Sequence, residues 1–135
     1  MTTKLPHLSL RSLLLLDAAT CAAAGLALPL GAEAVAGLTA LPVGLLRYAG
    51  LSLLPVAAFM ALVALRPELQ RTGTRLVILG NAAWAVASLA LLLSGWVAPN
   101  GLGIALVAGQ ALAVAALAVL EHAALRHGAP RPQTA

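Results

Sequence analysis

Charge is scarce in this chain: 9% of its 135 residues are Asp, Glu, Lys or Arg, and only four are acidic. With 61% hydrophobic residues beside them, a soluble domain is excluded, because a chain of this length cannot hide so much apolar surface. Aromatics make up only 3%. Their scarcity argues against a transmembrane β-barrel with aromatic girdles and leaves Leu, Ala and Val, which suit helices packed through small side chains. A single cysteine, Cys21, excludes an intrachain disulfide, and its alanine-rich setting reads as that of a small buried hydrophobe. HExxH and CxxC patterns, a phosphate-binding loop and a dinucleotide fingerprint are all missing. His7, His122 and His127 stand at the polar edges of apolar stretches, which leaves no axial ligand for a haem deep in a bundle. His122 and His127 are five apart and share no helix face, so neither metal nor cofactor is expected. The net charge of +4 does not imply nucleic acid, since the basic residues have neither aromatic interleaving nor a folded domain to present them.

What the chain does have is apolar length. Four stretches, about 12–30, 44–65, 76–93 and 102–125, approximate the ~20 residues that cross a bilayer as a helix. The expected fold is all-α, a four-transmembrane-helix bundle forming one domain over 1–126, with a disordered tail at 127–135 where Gly128, Pro130 and Pro132 crowd together. The first stretch reads as a retained span rather than a cleaved signal peptide, because Asp17 falls inside what would be the apolar region. Pro29-Leu30-Gly31 marks its expected end. Residues 31–43 carry Glu33, Gly37 and Pro42 and are too short to span, which leaves a loop, an interfacial helix or a re-entrant segment open. Pro55 predicts a kink in the second span, and Arg66 to Arg75, with Pro67 and Gly73, reads as a loop.

Orientation follows from where the basic residues sit. Lys4, Arg11, Arg66, Arg71, Arg75, Arg126 and Arg131 all fall on one side of a four-span chain, which places both termini and the central connection in the cytoplasm. The arginines of that connection can attract anionic headgroups, making membrane lipids the first expected partner. Only Arg47 lies at the other end, where it can pair with Glu33, beside an interfacial Tyr48 and the turn residue Trp96.

Spacing then locates the candidate site. Gly101, Ala105, Gly109 and Ala113 recur every four residues, a face open to close backbone approach either within the bundle or from a second copy or partner membrane protein. Gly103, Leu106, Gln110, Val114, Leu117 and Glu121 form another stripe of the same helix, while Asn81, Trp84 and Ser88 share a face of the preceding one. Asp17 lies six residues after Arg11, Asn81 six after Arg75 and Glu121 five before Arg126. All three therefore reach one level, roughly 7 to 9 Å inside the basic boundary at ~1.5 Å per residue. Asp17, Asn81, Trp84, Ser88, Gln110 and Glu121 are accordingly the candidate ligand or proton site, since polar groups at such depth are either paired or used. The competing reading has Asp17 and Glu121 snorkelling to headgroups while Asn81 and Gln110 tie helices together.

Three functional classes follow. The first, and the one that the small size of the chain favours over the other two, is a non-enzymatic accessory or lipid-contacting membrane component, whose polar residues serve packing and anchoring. The second is a small proton-coupled transporter or ligand-binding bundle using Asp17, Asn81 and Glu121. The third, a membrane enzyme acting on a lipid-soluble substrate, requires both carboxylates to converge in one cavity.

The pattern Gly80-Asn81-x-x-Trp84-x-x-x-Ser88, the turn Gly95-Trp96-Val97-Ala98-Pro99, then Gln110 and Glu121, resembles small four-span bacterial integral membrane proteins of no assigned activity. Leu46-Arg47-Tyr48-Ala49-Gly50 up to Pro55 is similar to their preceding span. The resemblance implies the topology and a bacterial inner-membrane location, and no activity. In size, and in carrying a carboxylate in its first span, the chain is also similar to small multidrug-resistance transporters, although the residues around Asp17 do not match that family's motif.

Overall fold

The computed structural model describes residues 8–127, which form four long helices and one short turn. Helix α1 spans Leu10–Thr39, α2 Val43–Leu65, α3 Gln70–Ser94 and α4 Gly101–His127, with a 3-10 turn at Pro67–Leu69 between α2 and α3. No strand occurs among the described residues. All four helices are long and apolar enough to cross a bilayer. Lys4, His7 and the tail from 128 onward, with Arg131, lie outside the described residues.

Three expected boundaries are corrected. Helix α1 does not stop at Pro29-Leu30-Gly31 but runs on to Thr39, so Gly31 to Thr39 is neither a loop nor a separate segment. In apolar surroundings a chain has only its own backbone to bond with, and this outweighs the single hydrogen bond that Pro29 removes. The helix ends instead at Ala40, whose left-handed conformation (φ 57°) lets its N–H reach the Ala36 carbonyl at 2.9 Å. At 30 residues, or ~45 Å, α1 is longer than a ~30 Å hydrocarbon layer. The expected loop from Arg66 to Arg75 is mostly helical, because α3 begins at Gln70 and carries Arg71 to Arg75 in its first turns. Gly73 is there for contact, not for a turn: a Cβ on it would lie 2.5 Å from Val63 Cγ2 of α2. Finally, His127, assigned above to the tail, is the last residue of α4. Helix α2 continues through Pro55 without interruption.

The helices form a ring in chain order. The α1–α2 pair makes the most extensive contact and α3–α4 the next, while α1 against α4 and α2 against α3 close the ring. This leaves α1 and α3 on a diagonal. Close crossing of α1 and α2 depends on glycine, since a Cβ on Gly25 would lie 2.7 Å from Leu54 Cδ2 and one on Gly50 2.8 Å from Leu28 Cβ, beside the Pro29 ring. Two apolar layers fill the interior. Leu14, Ala18, Met60, Val63, Ala64 and Val77 pack near the end that carries Arg11, Arg66, Arg75 and Arg126, and Ala32, Leu41, Leu46 and Val107 pack near the other.

At that other end Asn100 joins the two hairpins. Its Oδ1 accepts from Gly103 N at 2.9 Å and so caps α4, while its Nδ2 donates to the Leu38 carbonyl at 2.8 Å and its backbone N–H to the Thr39 carbonyl at 3.0 Å. Gly103 lies directly under that Thr39 carbonyl, where no side chain fits.

Two measurements check this packing. Gly50→Ala is expected to destabilise the fold by about 1–3 kcal/mol in equilibrium unfolding from mild detergent, whereas Gly80→Ala, where an added Cβ meets nothing, leaves stability unchanged or raises it by about 1 kcal/mol. Asn100→Ala is expected to cost about 1–2 kcal/mol, since a helix cap and a tie between hairpins are lost together.

Candidate functional site

The bundle is apolar outside as well as inside, and a few polar groups are buried within it. Its outer faces carry Leu30 (87% exposed), Leu93 (88%), Val86, Leu112 and Val119, while Asp17, Thr74, Asn81 and Glu121 are buried. Helical spacing does this. On α1 the residues turned inward are Leu13, Leu14, Asp17, Ala18 and Gly25, on α3 Thr74, Val77, Asn81 and Ala85, and on α4 Gly103, Val107, Ala111, Ala118 and Glu121. Asp17, Asn81 and Glu121 thus arrive from three helices at one point between them.

Their geometry is a shared amide. Asn81 Nδ2 donates to Asp17 Oδ2 at 2.7 Å, across the α1–α3 diagonal, and to Glu121 Oε2 at 3.3 Å. Its two hydrogens therefore serve two carboxyl groups. Asp17 is 1% exposed and Glu121 fully buried. The remaining Asp17 oxygen accepts a weak bond from the Cys21 thiol at 3.7 Å, while Glu121 Oε1 has no partner among the described residues. The ion pairs among the described residues are Arg47–Glu33 and Arg66–Glu68, so none of these arginines neutralises the buried carboxyls. Two carboxyl groups sharing one amide, out of water and without a counter-charge, cannot both stay ionised without a large electrostatic cost.

The other candidates form a second cluster. Trp84 Nε1 donates to Gln110 Oε1 at 2.9 Å, Gln110 Nε2 donates to Ser88 Oγ at 2.9 Å and to the Val107 carbonyl at 3.0 Å, and Ser88 Oγ donates to the Trp84 carbonyl at 2.7 Å. These groups satisfy one another and clasp α3 to α4. The six expected site residues therefore divide into a carboxyl–amide node and a clasp three to seven residues farther along α3, or roughly 5 to 10 Å. The Arg47–Glu33 pair forms as expected, at 3.1 Å, at the opposite end of the bundle. Both partners are largely exposed, and such pairs contribute at most about 1 kcal/mol. The stripe of Gly101, Ala105, Gly109 and Ala113 faces outward, and a Cβ on Gly101 or Gly109 meets nothing, so this stripe does not pack the bundle itself. Two hollows open outward along α4, beside His122 and Arg126 and between Ile78, Ala82 and Ala118, and the node lines neither.

Three residues escaped the reading of the sequence. Thr74 is fully buried with its hydroxyl unpartnered among the described residues. It stands seven residues before Asn81 on the same face of α3 and was hidden because α3 begins earlier than expected. Cys21 sits one turn after Asp17, a spacing that does bring i and i+4 side chains together. Asn100, between Pro99 and an apolar helix, carries a recognisable cap signal.

Thr74→Val keeps the shape and removes an unsatisfied hydroxyl, so it is expected to raise stability by about 1 kcal/mol; an equal loss would mean that the hydroxyl has a partner in solution. Asn81→Leu leaves two buried carboxyl groups without their common donor and is expected to cost about 3 kcal/mol or more in the same unfolding measurement.

Compared with protein families, with curated proteins and with solved structures, the chain matches none.

Proposed function

We propose that this is a multi-pass membrane protein in which Asp17, Asn81 and Glu121 bind and release a proton, the working site of a small proton-coupled transporter or ligand-binding bundle. The observation that carries the reading is the Asn81 amide held between two buried carboxyl groups from different helices, one of whose oxygens has no other partner among the described residues. Carboxyl groups that served only as anchors would snorkel to the bundle end, and these turn inward. The apolar exterior supports insertion into a bilayer. Arg11, Arg66, Arg71, Arg75 and Arg126 at one end favour both chain ends in the cytoplasm, and the resemblance noted above favours a bacterial inner membrane. A second reading, an accessory membrane component, draws on the outward-facing stripe of Gly101, Ala105, Gly109 and Ala113, which fits close approach by a second copy or another membrane protein.

Trp84 offers a built-in reporter, three residues after Asn81 and bonded across to Gln110. In a Trp96→Phe background its fluorescence is expected to change with pH, and the change is expected to be shifted or lost in both Glu121→Gln and Asp17→Asn. A flat profile, or one that both substitutions leave unchanged, would leave the accessory reading in front. For orientation, in a Cys21→Ala background, Ser94→Cys is expected to react with an impermeant maleimide on intact cells and Gln70→Cys only after lysis. The reverse pattern would invert the topology.

A further inference from the structure

The node has more oxygen than its hydrogen bonds use. Asn81 Nδ2 lies 2.7 Å from one carboxyl oxygen and 3.3 Å from the other, so a half-turn of the amide about its Cβ–Cγ bond puts Oδ1 in that position and brings three oxygens together from α1, α3 and α4. Three facing oxygens repel unless a positive charge lies among them. Glu121 Oε1 is fully buried with no partner among the described residues, so this carboxyl keeps an oxygen that no hydrogen bond engages. An all-oxygen set of this kind suits a hard cation rather than a soft transition metal.

We infer that the Asp17–Asn81–Glu121 node is an exchange site in which a small monovalent cation, Na+ being the probe, takes the place of one proton, with the Asn81 amide turning so that Oδ1 replaces Nδ2 between the two carboxyl groups. The inference rests on the proton-binding reading above and names what competes with the proton.

Charge balance sets the stoichiometry. In a medium that tolerates little net charge, two carboxyl groups are neutral with two protons, or with one proton and one monovalent cation. Each cation bound therefore releases one proton, and no net charge enters the site. The groups facing the node are few. Helix α1 contributes Asp17 and Cys21, α3 Asn81 and α4 Glu121, while α2 presents only the apolar Met60, Val63 and Ala64 to the neighbouring layer. Arg11, Arg66, Arg71, Arg75, Arg126 and His122 are exposed at the bundle end or exterior. No fixed cation among the described residues is thus in place to neutralise the node, which leaves that task to protons or a mobile ion.

The test measures Na+ binding to the whole purified protein by equilibrium dialysis with radioactive Na+, at pH 6, 7 and 8 and at ionic strength held constant with choline chloride. One-for-one exchange makes the apparent Kd rise about tenfold for each unit that pH is lowered, and one proton appear per Na+ bound in an unbuffered titration. Glu121→Gln and Asp17→Asn, whose folding is verified by helical circular dichroism, each remove one of the two charged ligands and are each expected to weaken Na+ binding about tenfold or more. Saturable binding with a Kd independent of pH, or unchanged by either substitution, overturns the inference by placing Na+ elsewhere. If Na+ does not bind while Trp84 fluorescence still titrates and Glu121→Gln shifts or removes that titration, the cation inference falls and the proton reading stands. If neither is seen, both fall.

Discussion

An exterior of leucine, valine and alanine around a few buried polar groups leaves those groups only the bundle's own side chains and backbone to bond with, and that constraint governs the rest. It keeps the backbone helical through Pro29 and Pro55, where a water-exposed chain has the option of a turn. It also turns Asp17, Thr74, Asn81 and Glu121 inward, among an otherwise apolar core. Asp17, Asn81 and Glu121 are a consequence: three residues at equal depth on three helices, drawn to the single amide that satisfies two carboxyl groups at once.

Packing decides how narrow the meeting point is. The α1–α2 pair closes over Gly25 and Gly50, and Gly73 lets α3 lie against Val63, so backbones approach where side chains would hold them apart. The Asn100 bridge fixes the other end of α4 against the end of α1. Between these constraints the clasp of Trp84, Gln110 and Ser88 sets the rotation of α3 against α4, and that rotation determines whether Asn81 and Glu121 face the same point. The clasp is fully bonded and has nothing left to offer a ligand. The node, by contrast, is short of donors.

This difference separates structural polarity from functional polarity within one hydrophobic protein. Gln110 and Asn81 are chemically alike and similarly placed on facing stripes, yet one amide satisfies a hydroxyl, a backbone carbonyl and an indole, while the other spends both hydrogens on carboxyl groups and leaves a Glu121 oxygen bare among the described residues. An unsatisfied oxygen of that kind costs stability unless something binds it, and this is the reason to look for the proton, or the ion, that does.

The number of helices, their approximate spans and the common depth of Asp17, Asn81 and Glu121 were legible in the sequence, because apolar run length, the positions of arginine and a rise of ~1.5 Å per residue are properties of the chain itself. So were the pairing of Glu33 with Arg47 and the shared face of Asn81, Trp84 and Ser88. Helix ends at Thr39 and Gln70 were not legible, since Pro29 and Gly73 signal turns in water but serve close packing in this bundle, against Gly50 and Val63. Nor was the division of six polar candidates into clasp and node, because hydrogen-bond partners depend on which helices adjoin and how each is rotated. Periodicity fixes which residues share a face; only the ring order, with α1 and α3 on its diagonal, decided that Asn81 meets Asp17 while the Gly101 to Ala113 stripe looks outward.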